Sequence, residues 1–245
     1  MLPDWVYKDE DFENTPSVKD GYPRKLEEKL RRDGVKTLLK VGNLMKVRNV
    51  TLTTAAIFFH RFYMYHSFKQ YEGDHVALAA LFLAGKVEDT PKRICNLIAD
   101  AMKFELFRFC DANSLTEKIV AVERVMLSAL RFDFVVENPC VYLKNYITNL
   151  GLPGGWENAA AKMATAFLND CRFLTILIEW EPQILAIAMI SLAFDYKNYE
   201  PDNVLWYYDY VVGLTPDVLA GIGQKVRDFY DEETPKKEDN EISPK

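Results

Sequence analysis

Residues 76–93 read VALAALFLAGKVEDTPKR. From Val76 the segment is helical in composition and apolar on every side, yet Lys86 appears before the apolar character has ended. Glu88 and Asp89 follow, and Thr90 and Pro91 stop the helix, because proline has no N–H to continue it. At about 100° per residue Lys86 falls between Phe82 and Ala79, with Leu83 beyond. A helix expected over Thr116–Leu130 repeats the feature with the opposite sign. Glu123 sits inside the arc of Ile119, Leu127 and Leu130. One misplaced charge is ordinary; two of opposite sign form a pattern. They either pair with each other across a helix–helix contact, or rim an exposed apolar patch at which each hydrogen-bonds a partner's backbone.

The rest of the chain supplies the context. Its 245 residues are enough for one large domain or two smaller ones, and 49% hydrophobic residues can fill a core. Glycine and proline number 11 each, too few for a fibre or a disordered chain. A net charge of −6 opposes a nucleic-acid binder that relies on an overall basic field. Cys95, Cys110, Cys140 and Cys171 lie far apart with no metal-binding spacing, as expected of free thiols in a reducing compartment. The acidic start, MLPDWVYKDEDF, lacks the basic and apolar regions of a signal peptide. No apolar run reaches the ~18 residues of a membrane span. A soluble intracellular protein that needs neither metal nor cofactor is expected.

Periodicity and punctuation predict helix after helix. The expected spans are Arg24–Met45, Leu52–Phe68 with Thr51 as its cap, Asp74–Val87, Lys92–Phe107 and Thr116–Leu130. FDFVVENP (132–139) reads as an extended linker ending at a proline. Five further segments are expected at 139–150, 156–172, 181–198, 202–212 and 215–231. The halves resemble each other faintly: ALFLAGK (80–86) and MISLAFD (189–195) share a Leu-Ala pair, with Asp195 standing where the first copy has Lys86. The expected organisation is all-α: an N-terminal segment (1–22), two five-helix units (23–137 and 138–231) and a disordered charged tail (232–245).

LFLAGKVEDTPKR, HRFYMYHSFKQ and ERVMLSALRFDF resemble the first cyclin box of cyclins, and the transcriptional branch of that family fits best. The likeness covers about 5–231; the first-box motifs are specific and the second-box ones, such as EWEP (179–182), are weak. It implies two tandem cyclin boxes, the first clamping the regulatory helix of a cyclin-dependent kinase. Lys86 and Glu123 match the lysine and glutamate that bind the backbone ends of that helix. Leu83, Val87, Leu127 and Phe134 match its apolar pocket, with Phe132 adjoining and Glu88 beside it. Val87 is smaller than the aromatic of cell-cycle cyclins, which implies a reshaped pocket.

The stretch LRRDG (30–34) puts Arg32 and Asp33 where cell-cycle cyclins carry an apolar substrate-docking patch, so that docking is expected to be absent. His60 stands where those cyclins usually have an aspartate. The extended C-terminal tail common in the branch is missing, as in a piece of a longer protein. The resemblance further implies a nuclear, non-catalytic subunit that activates a kinase of the RNA polymerase II C-terminal repeats, with no direct role for nucleic acid or membrane. Thr234, in TPKK, fits a proline-directed phosphorylation site.

Two rivals were open to the sequence. A hydrolytic or metal enzyme lacks support, since His60, His66 and His75 form no i, i+4 pair and no phosphate loop is visible. A cyclin-fold scaffold or general transcription factor without kinase activation remains the alternative.

Overall fold

The computed structural model describes residues 5–201, 203 and 205–233. Among them every regular element is helical, as the periodicity predicts. Two short N-terminal helices, α1 (Asp9–Phe12) and α2 (Pro16–Lys19), precede α3 (Arg24–Leu44), α4 (Asn49–Phe62), α5 (Gly73–Val87), α6 (Ile94–Ala101) and α7 (Ala112–Ala129). After an extended stretch come α8 (Pro139–Leu150), α9 (Trp156–Asp170), α10 (Ile176–Glu179), α11 (Pro182–Lys197) and α12 (Pro216–Glu233). The ends follow local chemistry. The Asp111 carboxylate accepts from the Ser114 N–H to open α7, and Asn138 caps α8 with Pro139 at its first position. Gly151, at φ +58°, closes α8 in the left-handed conformation that glycine tolerates.

Three expected spans are corrected. The helix expected over Leu52–Phe68 starts at Asn49 and ends at Phe62, so Thr51 lies inside it and Arg48 holds the cap position. Aromatic packing ends it early: Tyr63 stacks on Phe68 with centroids 3.5 Å apart, and the Tyr63 hydroxyl donates to the Tyr71 carbonyl at 3.0 Å. The helix expected over Lys92–Phe107 reduces to α6 and a separate 3₁₀ turn at Glu105–Phe107, where Phe107 is buried. The helix expected at 202–212 shows only a 3₁₀ turn at Trp206–Asp209. Trp206 packs edge-on against Phe194 at 5.9 Å and Tyr207 at 5.8 Å, so ring packing overrides helix propensity there.

Two cores result. In the first, α5 packs on α3, α4 and α7; in the second, α11 packs on α8, α9 and α12. Gly34 of LRRDG permits one close approach, since a Cβ there would lie 2.3 Å from the Phe59 ring. Helix α4 belongs to both cores: Phe58, Phe59 and Phe62 face the first, while Ala56 and Ile57 join the second. That double burial explains why its sequence is apolar nearly all round.

Polar contacts fasten the joint between the cores. The His60 Nε2–H donates to the Arg172 carbonyl at 2.9 Å, and Arg172 Nε donates to the Thr53 hydroxyl at 3.1 Å. A carbonyl only accepts, so His60 is protonated on Nε2, and its buried Nδ1 has no partner among the described residues. Burial and the nearby Arg31 charge push the His60 pKa down to about 3. Arg31 is itself buried, bonded to Glu27 at 2.6 Å and to the His60 carbonyl at 2.9 Å. The N-terminal segment spans the joint. Its Tyr7 N–H donates to the Ile178 carbonyl at 2.8 Å, and Trp5 Nε1–H donates to Asp133 at 2.6 Å. Arg61 stacks on Trp5 at 4.7 Å, and burial lowers its pKa to about 10.

Candidate functional site

The charged rim of the first unit is built where α5 crosses α7. Of the nine residues Ala77–Gly85 eight are buried and Phe82 is half-buried, and Lys86 in the last turn is the one exposed residue of α5. There the Lys86 ammonium donates to Glu123 Oε1 of α7 at 2.7 Å. The two members differ: the Lys86 side chain is 45% exposed and that of Glu123 only 10%. Glu123 is thus the sunk partner and Lys86 the reaching one. Of the two sequence readings, the free chain adopts the mutual pair.

The ammonium also lies 4.0 Å from the centroid of the Phe82 ring. Phe82 is absent from the residues assigned to the site by resemblance. The signal was available, since Phe82 and Lys86 are four apart on one helix and share a face. Cation–π contact and the carboxylate together hold the lysine stem against the helix.

The apolar residues assigned to the seat are gathered beside this pair, at different depths. Leu83 is buried in the core beneath it, while Val87, Leu127 and Phe134 are half-buried at its edge. Phe134 meets Phe58 edge-on at 6.3 Å and Phe132 at 6.2 Å. Phe132 itself is 66% exposed. It follows α7 through two successive left-handed residues, Arg131 at φ +52° and Phe132 at φ +57°. For an aromatic side chain this backbone is strained, and it leaves the ring largely exposed while the Phe132 N–H donates to the Leu127 carbonyl at 3.1 Å. Glu88 behaves otherwise. Its carboxylate accepts from the Thr54 hydroxyl at 2.7 Å and its carbonyl from Arg48 at 2.6 Å, so it fastens the end of α5 to α4.

Thr234 lies outside the described residues. No group of His, Cys, Asp and Glu among the described residues could hold a metal ion. No described helix is long and apolar enough to cross a membrane. The four cysteines are free thiols. Chemically, the surface carries a half-exposed ammonium, a sunken carboxylate and an exposed aromatic ring.

Comparison with known proteins shows which family the chain resembles. The family described as "Cyclin, N-terminal domain" matches residues 5–135. Human cyclin-K is 33% identical over 239 residues, covering 93% of this chain and 41% of the relative. Zebrafish cyclin-K is 32% identical, covering 93% and 56%, and rice cyclin-T1-1 is 27% identical, covering 92% and 52%. The chain therefore spans about half the length of these relatives. The motifs HRFYMYHSFKQ and AGKVEDTPK carry the same likeness, to cyclin K first and cyclin T next. Among solved structures, the fold matches a chain of the yeast RNA Pol II CTD kinase CTDK-1 complex at TM-score 0.78 and 14% identity, covering 95% of this chain and 75% of that one. It matches a chain of the CAK complex from Chaetomium thermophilum bound to ATP-gamma-S at TM-score 0.72 and 22% identity, covering 94% and 77%.

Proposed function

This chain belongs to the cyclin family, and from that premise we propose that it binds and activates a transcriptional cyclin-dependent kinase as its regulatory subunit. It performs no chemistry itself and works in the nucleus, directing its kinase to the C-terminal repeats of RNA polymerase II. The observation that carries the reading is the half-exposed Lys86 held by the sunken Glu123 where α5 meets α7, with the outward-facing Phe132 just past the end of α7. The likeness to cyclin-K, and the fold shared with a chain of a yeast RNA Pol II CTD kinase complex, support the transcriptional branch.

The mutual pair in the free chain is compatible with a docking role. Lys86 is half-exposed and can turn to a new partner, whereas Glu123 is sunk, so docking has to offer that carboxylate N–H donors as it loses the ammonium. On docking, Lys86 donates to carbonyls at one end of the kinase helix and Glu123 accepts N–H groups at the other. Charge-assisted bonds of that kind contribute about 1.5–3 kcal/mol each. Kinase activity requires a lysine–glutamate pair whose glutamate rides on the movable helix. A subunit that binds only the helix-in position shifts the population toward it. Moving the equilibrium from 1:99 to 99:1 takes about 5.5 kcal/mol of differential binding. Two such contacts and an apolar seat within a standard interface of about 1,600 Å² meet that need.

The test is kinase activation. Purified chain is titrated into inactive transcriptional cyclin-dependent kinases, with a heptad-repeat peptide as substrate, beside the Lys86→Glu variant. Activation by the chain and its loss in the variant are expected. A folded chain that activates none of the kinases would remove the proposal and leave a scaffold of the cyclin fold.

A further inference from the structure

The second box carries a counterpart of the Lys86 seat with its charges reversed. A shift of 109 residues lays Leu83, Lys86 and Val87 of α5 onto Leu192, Asp195 and Tyr196 of α11. A shift of 104 lays Leu115, Val122, Glu123 and Leu127 of α7 onto Leu219, Val226, Arg227 and Asp231 of α12. The burial supports this register, since Leu115 and Leu219 are both core residues, as are Val122 and Val226. Where Lys86 meets Glu123, Asp195 faces Arg227 at 3.9 Å. Of these counterparts, Leu192, Asp195, Tyr196, Arg227 and Asp231 line a groove of about 700 Å³ between α9, α11 and α12, floored by Met163, Phe167 and Leu192. Tyr196 stands on its edge, 69% exposed and edge-on to Phe167 at 6.3 Å.

We infer that this groove docks an amphipathic helix of another protein, one that carries a basic side chain next to its apolar anchor and runs in the opposite sense to the helix bound by the first box. The inference rests on reading the first seat as a helix-docking site. Direction follows from the sign of the charges. A helix presents unpaired N–H groups at its start and unpaired carbonyls at its end. The first seat has its donor on α5 and its acceptor on α7; the second has its acceptor, Asp195, on α11 and its donor, Arg227, on α12. A helix laid across the second seat therefore points its N-terminus toward Asp195 and its C-terminus toward Arg227.

The basic side chain follows from Asp231, which replaces the apolar Leu127 at the rim. Among the described residues no cation lies within ion-pair distance of it, so the lining carries two carboxylates against one guanidinium. The apolar anchor sits among Phe167, Leu192 and Tyr196. The loose Asp195–Arg227 contact, with those side chains 66% and 42% exposed, leaves both groups ready to exchange partners.

The experiment uses the full chain and a displayed library of amphipathic peptides of about 16 residues, long enough to form several helical turns. Enriched peptides are then titrated by fluorescence polarisation against the wild-type chain and the Asp195→Lys, Tyr196→Ala and Lys86→Glu variants, each checked for folding by circular dichroism. The expected peptides pair an apolar residue with Lys or Arg about one turn away. Asp195→Lys and Tyr196→Ala should each weaken binding about tenfold or more, and Lys86→Glu should bind as the wild type does. Absence of enrichment would overturn the inference, as would binding indifferent to Asp195→Lys. Sedimentation of the chain alone as a dimer that Asp195→Lys dissolves would overturn it too, assigning the face to a second copy. Peptide capture that persists while no kinase is activated would support this groove and remove only the kinase reading.

Discussion

The pairs Lys86–Glu123 and Asp195–Arg227 hold the same register in two similar boxes and behave differently. The first is tight, at 2.7 Å, with its carboxylate only 10% exposed; the second is loose, at 3.9 Å, with its carboxylate 66% exposed. A shared fold fixes where such groups stand, while their depth decides what they are worth. Drawing Glu123 out of water raises the cost of leaving it alone, which ties Lys86 to it and pre-shapes the first seat. Asp195 keeps its hydration, so the second seat is shaped by its apolar floor instead. A charge pattern repeated within a chain is thus a guide to position before it is a guide to strength.

The sharpest way to break the contrast is to remove a partner from the deepest pair in the first box. Arg31→Met leaves the Glu27 carboxylate buried without its counter-charge and held by the Thr15 hydroxyl alone, because both members of the pair are almost wholly enclosed. A loss of about 3–5 kcal/mol is expected in urea unfolding. A loss below about 1 kcal/mol would show that water reaches Glu27. Next comes the seat itself. Lys86→Glu and Glu123→Lys should each weaken kinase binding about 10- to 100-fold by surface plasmon resonance while the chain stays folded, at a lowered unfolding midpoint because like charges then meet at the sunken position. The double exchange should restore the internal pair without restoring the kinase, since each end of the bound helix would then meet the wrong sign. Full activation by both single variants would end the clamp assignment.

The joint between the boxes supplies a third, pH-dependent contrast. His60 titrates at about 3 when folded, well below its ordinary 6.5, because it is buried and lies near Arg31. Above pH 6.5 it is neutral in both states and contributes no pH dependence. Between 6.5 and about 3 the unfolded chain binds a proton that the folded chain refuses, so stability falls as pH falls, by about 1.4 kcal/mol per unit at most. Unfolding curves of His60→Gln across that window should show a flatter acid limb than wild type. An unchanged limb would assign the dependence to other groups. Smallest of all, Arg227→Ala should change stability by less than about 1 kcal/mol, as exposed pairs do, and a larger drop in thermal unfolding would contradict its placement at the surface.

The fold was legible because its signals are local. The 3.6-residue repeat of α3, α7 and α12, the apolar run of α5, the Asn138–Pro139 cap and the Gly151 stop are properties of short stretches, and the helices follow them. The stretches that misled were aromatic. HRFYMYHSF and NVLWYYDY suggest continued helix, but Tyr63 stacks on Phe68 and bonds Tyr71 just downstream as the helix ends at Phe62, while Trp206 packs on Phe194 of α11 and leaves one turn at Trp206–Asp209. The short helices α1 and α2 escaped notice because four residues carry too little periodicity to register.

At the site, sequence alone determined that Lys86 and Glu123 are charges out of place on apolar faces, since a helix fixes the angle between its own residues. It also placed Asp195 opposite Lys86 in the repeat. Only the tertiary structure decided that the two first-box charges meet at 2.7 Å, that Glu88 is turned inward to Thr54, and that Phe132 points outward. Distance between elements, and the depth at which a charge comes to rest, depend on how separate helices pack, and no single helix carries that information.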